Sequence, residues 1–260
     1  MIATIAIVAL VLWLVIAEPL LGRRSFQQLS TAIDAGIPDA RLHFYYRWTW
    51  QGWLLVAIAL VVSFGICGWI PAQLGWRMPA DMAGISSDFI TGFIGALVAG
   101  SLIGAWLMRR AGPVAAPKFG NAAVIRLLPR TRRERMAFAC LAVTAGIGEE
   151  VVWRGFGFAA VQHFMPGASL PVPDAMLPVL VLILAVPFGV AHAYQGWAGV
   201  LVTGVIGAVM AGLYLGTGSL LLPILLHTLI DLRALLIPVP PDQTTPFSTF
   251  PHAGHIPDKR

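Results

Sequence analysis

Residues 137–161, AFACLAVTAGIGEEVVWRGFGFAAV, carry three ionisable side chains in the middle of an otherwise apolar run. The run exceeds the roughly 20 residues that a helix needs to cross about 30 Å of hydrocarbon. Glu149, Glu150 and Arg154 fall near its centre, where a charge costs roughly 2.5–3.5 kcal/mol on insertion scales and marks function by default. Two later apolar runs repeat the pattern. One ends Phe188-Gly189-Val190-Ala191-His192, and the other contains His227-Thr228-Leu229-Ile230-Asp231. Between Ala137 and Leu236 the only other charged side chains are Asp174, in a Pro-rich break, and Arg233, near a helix end.

Composition carries this reading to the whole chain. Its 260 residues are 58% hydrophobic and 11% charged, with a mean hydropathy of +0.80, whereas a soluble globular domain carries about 25% charged residues. The fold class is an all-α, polytopic transmembrane bundle. Hydropathy predicts seven spans, at about 2–22, 51–70, 89–108, 137–163, 177–194, 197–215 and 219–237. The formal charge of +5 gathers at predicted membrane edges, not on a binding face, which argues against a nucleic-acid partner. Cys67 and Cys140 both sit in apolar runs and are expected to be buried packing residues, with no disulfide framework. The opening apolar run lacks a basic leader and is followed by Arg23-Arg24, so it is expected to be a retained first helix; the alternative is cleavage after Ala17.

The break at Gly22–Trp50 carries Arg23, Arg24, Arg41 and Arg47. The break at Arg109–Arg135 carries seven arginines and Lys118, and the tail ends Lys259-Arg260. The positive-inside rule puts these three on the cytoplasmic side, with the N-terminus outside, and seven spans require them to share a side. Trp48, Trp50 and Trp53 are expected to anchor the second span at the interface. The basic connector also suits attraction to anionic headgroups. Glu18 is expected near the inner interface, leaving the interiors of the first three spans without acid, base or His. The expected organisation is three accessory helices and a basic loop over 1–136, a four-helix core over 137–237 and a Pro-rich cytoplasmic tail over 238–260. Gly204, Ala208, Gly212 and Gly216 form a small-residue stripe that predicts tight packing of the sixth span.

Spacing assigns the ionisable groups. Glu150 and Arg154 are four apart and share a helix face, while Glu149 is turned about 100° away. That division makes Glu150–Arg154 a brace and leaves Glu149 free as a general base towards water. Read alone, the motif is equally a structural charge cluster. His192 alone reads as an interfacial residue or a ligand. The i,i+4 pair His227 and Asp231 suits a metal, a His–carboxylate pair or two groups facing an oxyanion. In the predicted topology all three motifs reach compatible depths, in a cavity open to the cytoplasm.

EEVVWR, FGVAH and HTLID, in that order and each within an apolar segment, resemble the signature of the CAAX-type prenyl endopeptidase and bacteriocin-processing (CPBP) membrane proteases. The approach to the last motif, LYLGTGSLLLPILLHTLIDL over 213–232, is similar to that family too. The resemblance covers about 134–236. It implies an intramembrane endopeptidase in which Glu149 and His192 activate water, His227 and Asp231 stabilise an oxyanion or bind a metal, and Glu150 and Arg154 support the site. Many family members have Asn where this chain has Asp231. An ionised Asp cannot donate to an oxyanion, so Asp231 is expected to orient His227, to bind a metal or to be protonated. Metal dependence stays open. His192, His227 and either Glu149 or Asp231 are the candidate ligands for a divalent ion such as zinc, and a glutamate-led mechanism without metal is preferred. The implied substrates are membrane-embedded or lipid-modified proteins, prenylated CAAX proteins among them. The implied location is the bilayer of a prokaryotic plasma membrane. The rival readings are a proton or cation transporter using the same Glu, His and Asp cluster, and a non-catalytic membrane protein.

The orientation is directly testable. A cysteine introduced within 109–135 should be shielded from an impermeant thiol reagent in intact cells, and one near Asp174 should be labelled. The opposite pattern inverts the topology.

Overall fold

The computed structural model describes residues 1–79, 87–111, 122–170, 172–237 and 239. The expected tail beyond 237, apart from residue 239, and the 112–121 stretch of the basic connector with Lys118 lie outside the described residues. Every regular element is helical, and no strand occurs among the described residues. In chain order the helices are α1 (Ile2–Asp34), α2 (Ala40–Ile66), α3 (Ser87–Ala111), α4 (Ala122–Leu127), α5 (Arg132–Phe164), α6 (Leu177–Ala191), α7 (Gly196–Thr217) and α8 (Leu221–Leu232).

The all-α membrane architecture holds, while the span count is only partly met. α1, α2, α5 and the stretch Ala193–Thr217 that includes α7 are long and apolar enough to cross a membrane. Val98–Leu107 and Leu177–Ala191 are shorter apolar helices, and α8 has 12 residues. Two expected boundaries move. α1 continues through Arg23-Arg24 to Asp34, and α2 starts at Ala40, because charge alone does not end a helix. The chain turns only where Gly36 and Asp39 adopt positive φ, at 65° and 56°. The basic connector also docks on this hairpin. Arg126 pairs with Asp34 at 2.8 Å, Arg41 donates to the Arg126 carbonyl at 3.0 Å, and Tyr45 donates to the Leu127 carbonyl at 2.7 Å.

Two local devices aim α5. Its start is fixed by a reciprocal cap: Thr131 Oγ1 accepts from the Glu134 N–H at 3.2 Å, and Glu134 Oε2 accepts from the Thr131 N–H at 3.3 Å. Its middle widens from an α- to a π-helix over Glu150–Phe156, immediately after Glu149. The same widening occurs at Trp13–Ala17 in α1 and at Val61–Ile66 in α2. Such turns are frequent at functional sites because they re-aim side chains within an otherwise regular helix.

Packing then closes the core around α5, which lies against α2 and α8, while α6 lies against α7. Closest approach occurs at glycines. A Cβ added to Gly146 would lie 2.8 Å from the Thr228 backbone nitrogen, and one added to Gly189 would lie 2.8 Å from the Val200 carbonyl and 3.0 Å from Gly204 Cα. Of the predicted stripe, Gly204 meets α6, but Gly212 and Gly216 face no neighbour within 4 Å of an added Cβ. The tight contact continues instead at Gly207, one residue short of the expected spacing, beneath Phe188 and Arg154. The turn into α8 is locked from the other side. Gly218, at φ 64°, ends α7; its carbonyl accepts from Arg77 Nε at 2.7 Å, and Ser219 Oγ donates to the Arg77 carbonyl at 2.6 Å.

The outward face of α7 is apolar as well, with Leu201 and Val205 each 66% exposed, as a lipid-facing surface requires. Trp50 and Trp53 are exposed, whereas Trp48 is half-buried and turned to the interior cavity. Cys67 packs against the core, but Cys140 is exposed, so the expectation of two buried thiols fails for Cys140. A single apolar run cannot reveal which side of a membrane helix meets lipid.

The Gly146 contact sets the distance from α5 to α8. Gly146→Ala should destabilise the protein by about 1–3 kcal/mol, the usual cost of overpacking, read as a lowered melting temperature in detergent. Gly212→Ala, in open space, should melt with the wild type.

Candidate active site

The three motifs converge. Glu149 and Glu150 come from the α- to π-helix junction of α5, His192 caps the end of α6, and His227 and Asp231 lie one turn apart on α8. Glu149, His192, His227 and Asp231 line one cavity of about 430 Å³, with Glu150 and Arg154 packed behind its wall.

That inner layer is fully buried. Arg154 Nη1 donates to Glu150 Oε1 at 2.9 Å, with both side chains at 0% exposure. The predicted brace therefore forms, and it is larger than one pair. Arg154 Nη2 donates to the Gly207 carbonyl at 3.0 Å, and its guanidinium carbon lies 4.2 Å from the centroid of the Phe188 ring. Gly207 makes room for it, since a Cβ there would stand 3.3 Å from Arg154 Nη2. The same Glu150 oxygen also accepts from His227 Nδ1 at 2.7 Å. Glu150 is thus the direct hydrogen-bond partner of His227. Asp231 Oδ2 is 3.7 Å from His227 Nε2, beyond hydrogen-bond reach. The hydrogen bond that holds the His227 ring therefore runs to Glu150 and not to the expected partner Asp231. One-dimensional spacing favoured the i,i+4 neighbour and could not register a contact between helices.

The outer layer faces the cavity. Glu149 Oε2 lies 4.0 Å from His192 Nε2 and 3.9 Å from His227 Nε2, and it has no hydrogen-bond partner of its own. His192 Nδ1 sits 2.9 Å from the Phe188 carbonyl. A carbonyl only accepts, so Nδ1 carries the proton and a neutral His192 turns a lone pair on Nε2 towards Glu149. Phe188 spaces the two imidazoles. Its ring centroid is 5.0 Å from that of His192 and 6.0 Å from that of His227, edge-on to the latter. Separations near 4 Å are too long for direct bonds and short enough for one water to touch Glu149 and a histidine at once.

Two imidazoles and two carboxylates are chemically suited to a divalent metal. Zinc needs its ligands at about 2.0–2.2 Å from a common point, and among the described residues no group of three His, Cys, Asp or Glu side chains is arranged to hold one. No catalytic step is assigned to a metal on this geometry.

The cavity also contains a residue that sequence reasoning set aside. Glu18 is inside the continuous α1, and it lines the cavity together with Glu149, His192, His227 and Asp231. The expectation that the first three spans offer no interior acid is therefore corrected. Residue 18 stood at the edge of a predicted span only because that span was ended at Arg23-Arg24; with α1 running to Asp34, the same residue is mid-helix. Tyr194 and Gln195, in the turn after His192, line the cavity as well and were not singled out by any motif.

Residues 132–233 match a family model described as type II CAAX prenyl endopeptidase Rce1-like. The match covers less than half of the chain and includes all six residues of the three motifs. No curated protein and no solved structure matches the chain.

The layering predicts different consequences for adjacent glutamates. Glu150→Gln leaves Arg154 and His227 without their shared carboxylate and should cost about 3–5 kcal/mol, as for other buried pairs losing one partner. Glu149→Gln removes no formed hydrogen bond and should melt near the wild type. Thermal unfolding in detergent, read by intrinsic fluorescence, separates the two. Equal melting temperatures would contradict the division.

Proposed function

We propose that this chain is an intramembrane endopeptidase of the CAAX-type CPBP kind, acting on membrane-associated protein substrates, a reading supported by the family match over residues 132–233. The observation that supports this reading is the convergence on the unpartnered Glu149 Oε2 of two imidazole nitrogens, at 3.9 and 4.0 Å, inside a cavity among apolar helices.

In this reading a water held between Glu149 and His192 gives a proton to Glu149 and attacks the scissile carbonyl. The same carboxyl then returns the proton to the departing amine, so the C–N bond breaks and the base is regenerated. His227, as an imidazolium, donates from Nδ1 to Glu150 and from Nε2 into the cavity, where the oxyanion develops. Asp231, 3.7 Å from His227 Nε2, steadies the imidazolium charge. Glu150 and Arg154 act through His227 and hold its ring in place. The finer topology belongs to the proposal too: seven crossings, N-terminus outside, and a cavity open to the cytoplasm of a prokaryotic cell, where lipid-modified CAAX-type peptides would enter.

A proton relay would string its acids along both halves of the membrane. Here Glu18, Glu149, His192, His227 and Asp231 gather at one cavity, which favours hydrolysis over conduction.

Purified wild-type chain in liposomes should cleave a farnesylated, internally quenched CAAX-type peptide. Glu149→Gln should lower kcat at least 1,000-fold while still binding the peptide. Turnover should persist after exhaustive chelation. One zinc per chain whose removal and return switch cleavage off and on would overturn the glutamate-led step. An active Glu149→Gln would overturn its assignment as base.

A further inference from the structure

We propose that Glu18 is a substrate-contacting residue, supplied by the amino-terminal helix to the site built by 132–233; this rests on the endopeptidase reading. Three observations carry it. First, Glu18 shares the cavity with Glu149, His192, His227 and Asp231. Second, its two oxygens are treated differently. Oε1 accepts from Gln51 Nε2 of α2 at 3.4 Å, while Oε2 is buried and has no hydrogen-bond partner. Third, it directly follows the π-helical turn Trp13–Ala17, on a stretch of α1 where residue 18 faces the cavity.

A buried acceptor without a donor is costly, and the helix keeps one at the wall of the cavity. A bound peptide presents the complementary need. Its backbone N–H groups leave water on entering an apolar cavity and each requires an acceptor. On the chain's own side, Glu149 Oε2 and Glu18 Oε2 are buried carboxylate oxygens of cavity-lining residues without a hydrogen-bond partner. Glu149 Oε2 serves the chemistry. Glu18 Oε2, fixed from behind by Gln51, is placed to accept an N–H of the peptide and hold the chain in register as it crosses the site. Glu18 lies outside the family match, so this contact would set which peptides this chain takes, and not whether it can hydrolyse them.

The test uses the full chain in nanodiscs. With Glu149→Gln to prevent turnover, binding of a fluorescent farnesylated CAAX-type peptide is followed by anisotropy. Adding Glu18→Leu should weaken Kd at least tenfold. Adding Glu18→Gln, whose amide oxygen still accepts, should stay within about threefold. In the cleavage-competent chain the Glu18→Leu loss should fall on KM and not on kcat. Because Leu removes a buried unpaired oxygen, the Glu18→Leu melting temperature should hold or rise. Unchanged Kd, or a Kd loss accompanied by a matching fall in melting temperature, would overturn the proposal while leaving the endopeptidase reading intact. A peptide neither bound by any variant nor cleaved by the wild type would overturn both.

Discussion

One carboxylate oxygen organises the end of the bundle that holds the candidate site. Glu150 Oε1 receives Arg154 from its own helix and His227 from α8. Removing a charge from water is expensive, and a buried pair is tolerated only when the geometry is good and further hydrogen bonds finish the job. Here the guanidinium also meets the Gly207 carbonyl and the Phe188 face, while Arg154 Nε and Glu150 Oε2 stay buried without a hydrogen-bond partner. The cluster therefore ties α5 to α6, α7 and α8 at a single point. The distances among Glu149, His192 and His227 are then inherited from it, since none of those three bonds another.

The apolar packing serves this arrangement. Gly146 brings α5 onto α8, Gly189 brings α6 onto α7, and Gly207 leaves space for the arginine. In a bilayer such contacts replace the hydrophobic drive that a soluble core would use, because lipid tails are as apolar as leucine. The loop clasp between Arg77 and Gly218-Ser219 fixes where α8 begins, and hence the height of His227. Little of the polar chemistry is left to mobile side chains.

Much of this was legible in the sequence, and the limits are physical. Ionisable residues stand out in apolar runs, so the six motif residues could be named, and the i,i+4 rule separated Glu150 from Glu149. What could not be read was any relation that leaves its own helix. The Glu150–His227 bond, the Gly207 carbonyl beneath Arg154 and the carboxylate of Glu18 all depend on how helices meet. Boundaries failed for a related reason. Arg23-Arg24 looked like the end of a span, yet arginine is a good helix former, and only Gly36 and Asp39 break the chain. The outward aspect of Cys140 was equally hidden, since lipid and protein interior select the same residue types.

The three π-helical turns among the described residues have a common geometric consequence. A helix that gains one residue without being broken must accommodate it as a wide turn, and every side chain beyond is rotated by about 100° relative to those before. Such a change leaves the packed faces on either side nearly intact while presenting a new residue to an old cavity. At Trp13–Ala17 the residue that follows is Glu18, which lines the cavity, and the turn Glu150–Phe156 contains the arginine of the buried cluster behind its wall. Single-residue insertions in membrane helices thus offer this architecture a route to vary its interior chemistry without redesigning its lipid-facing surface.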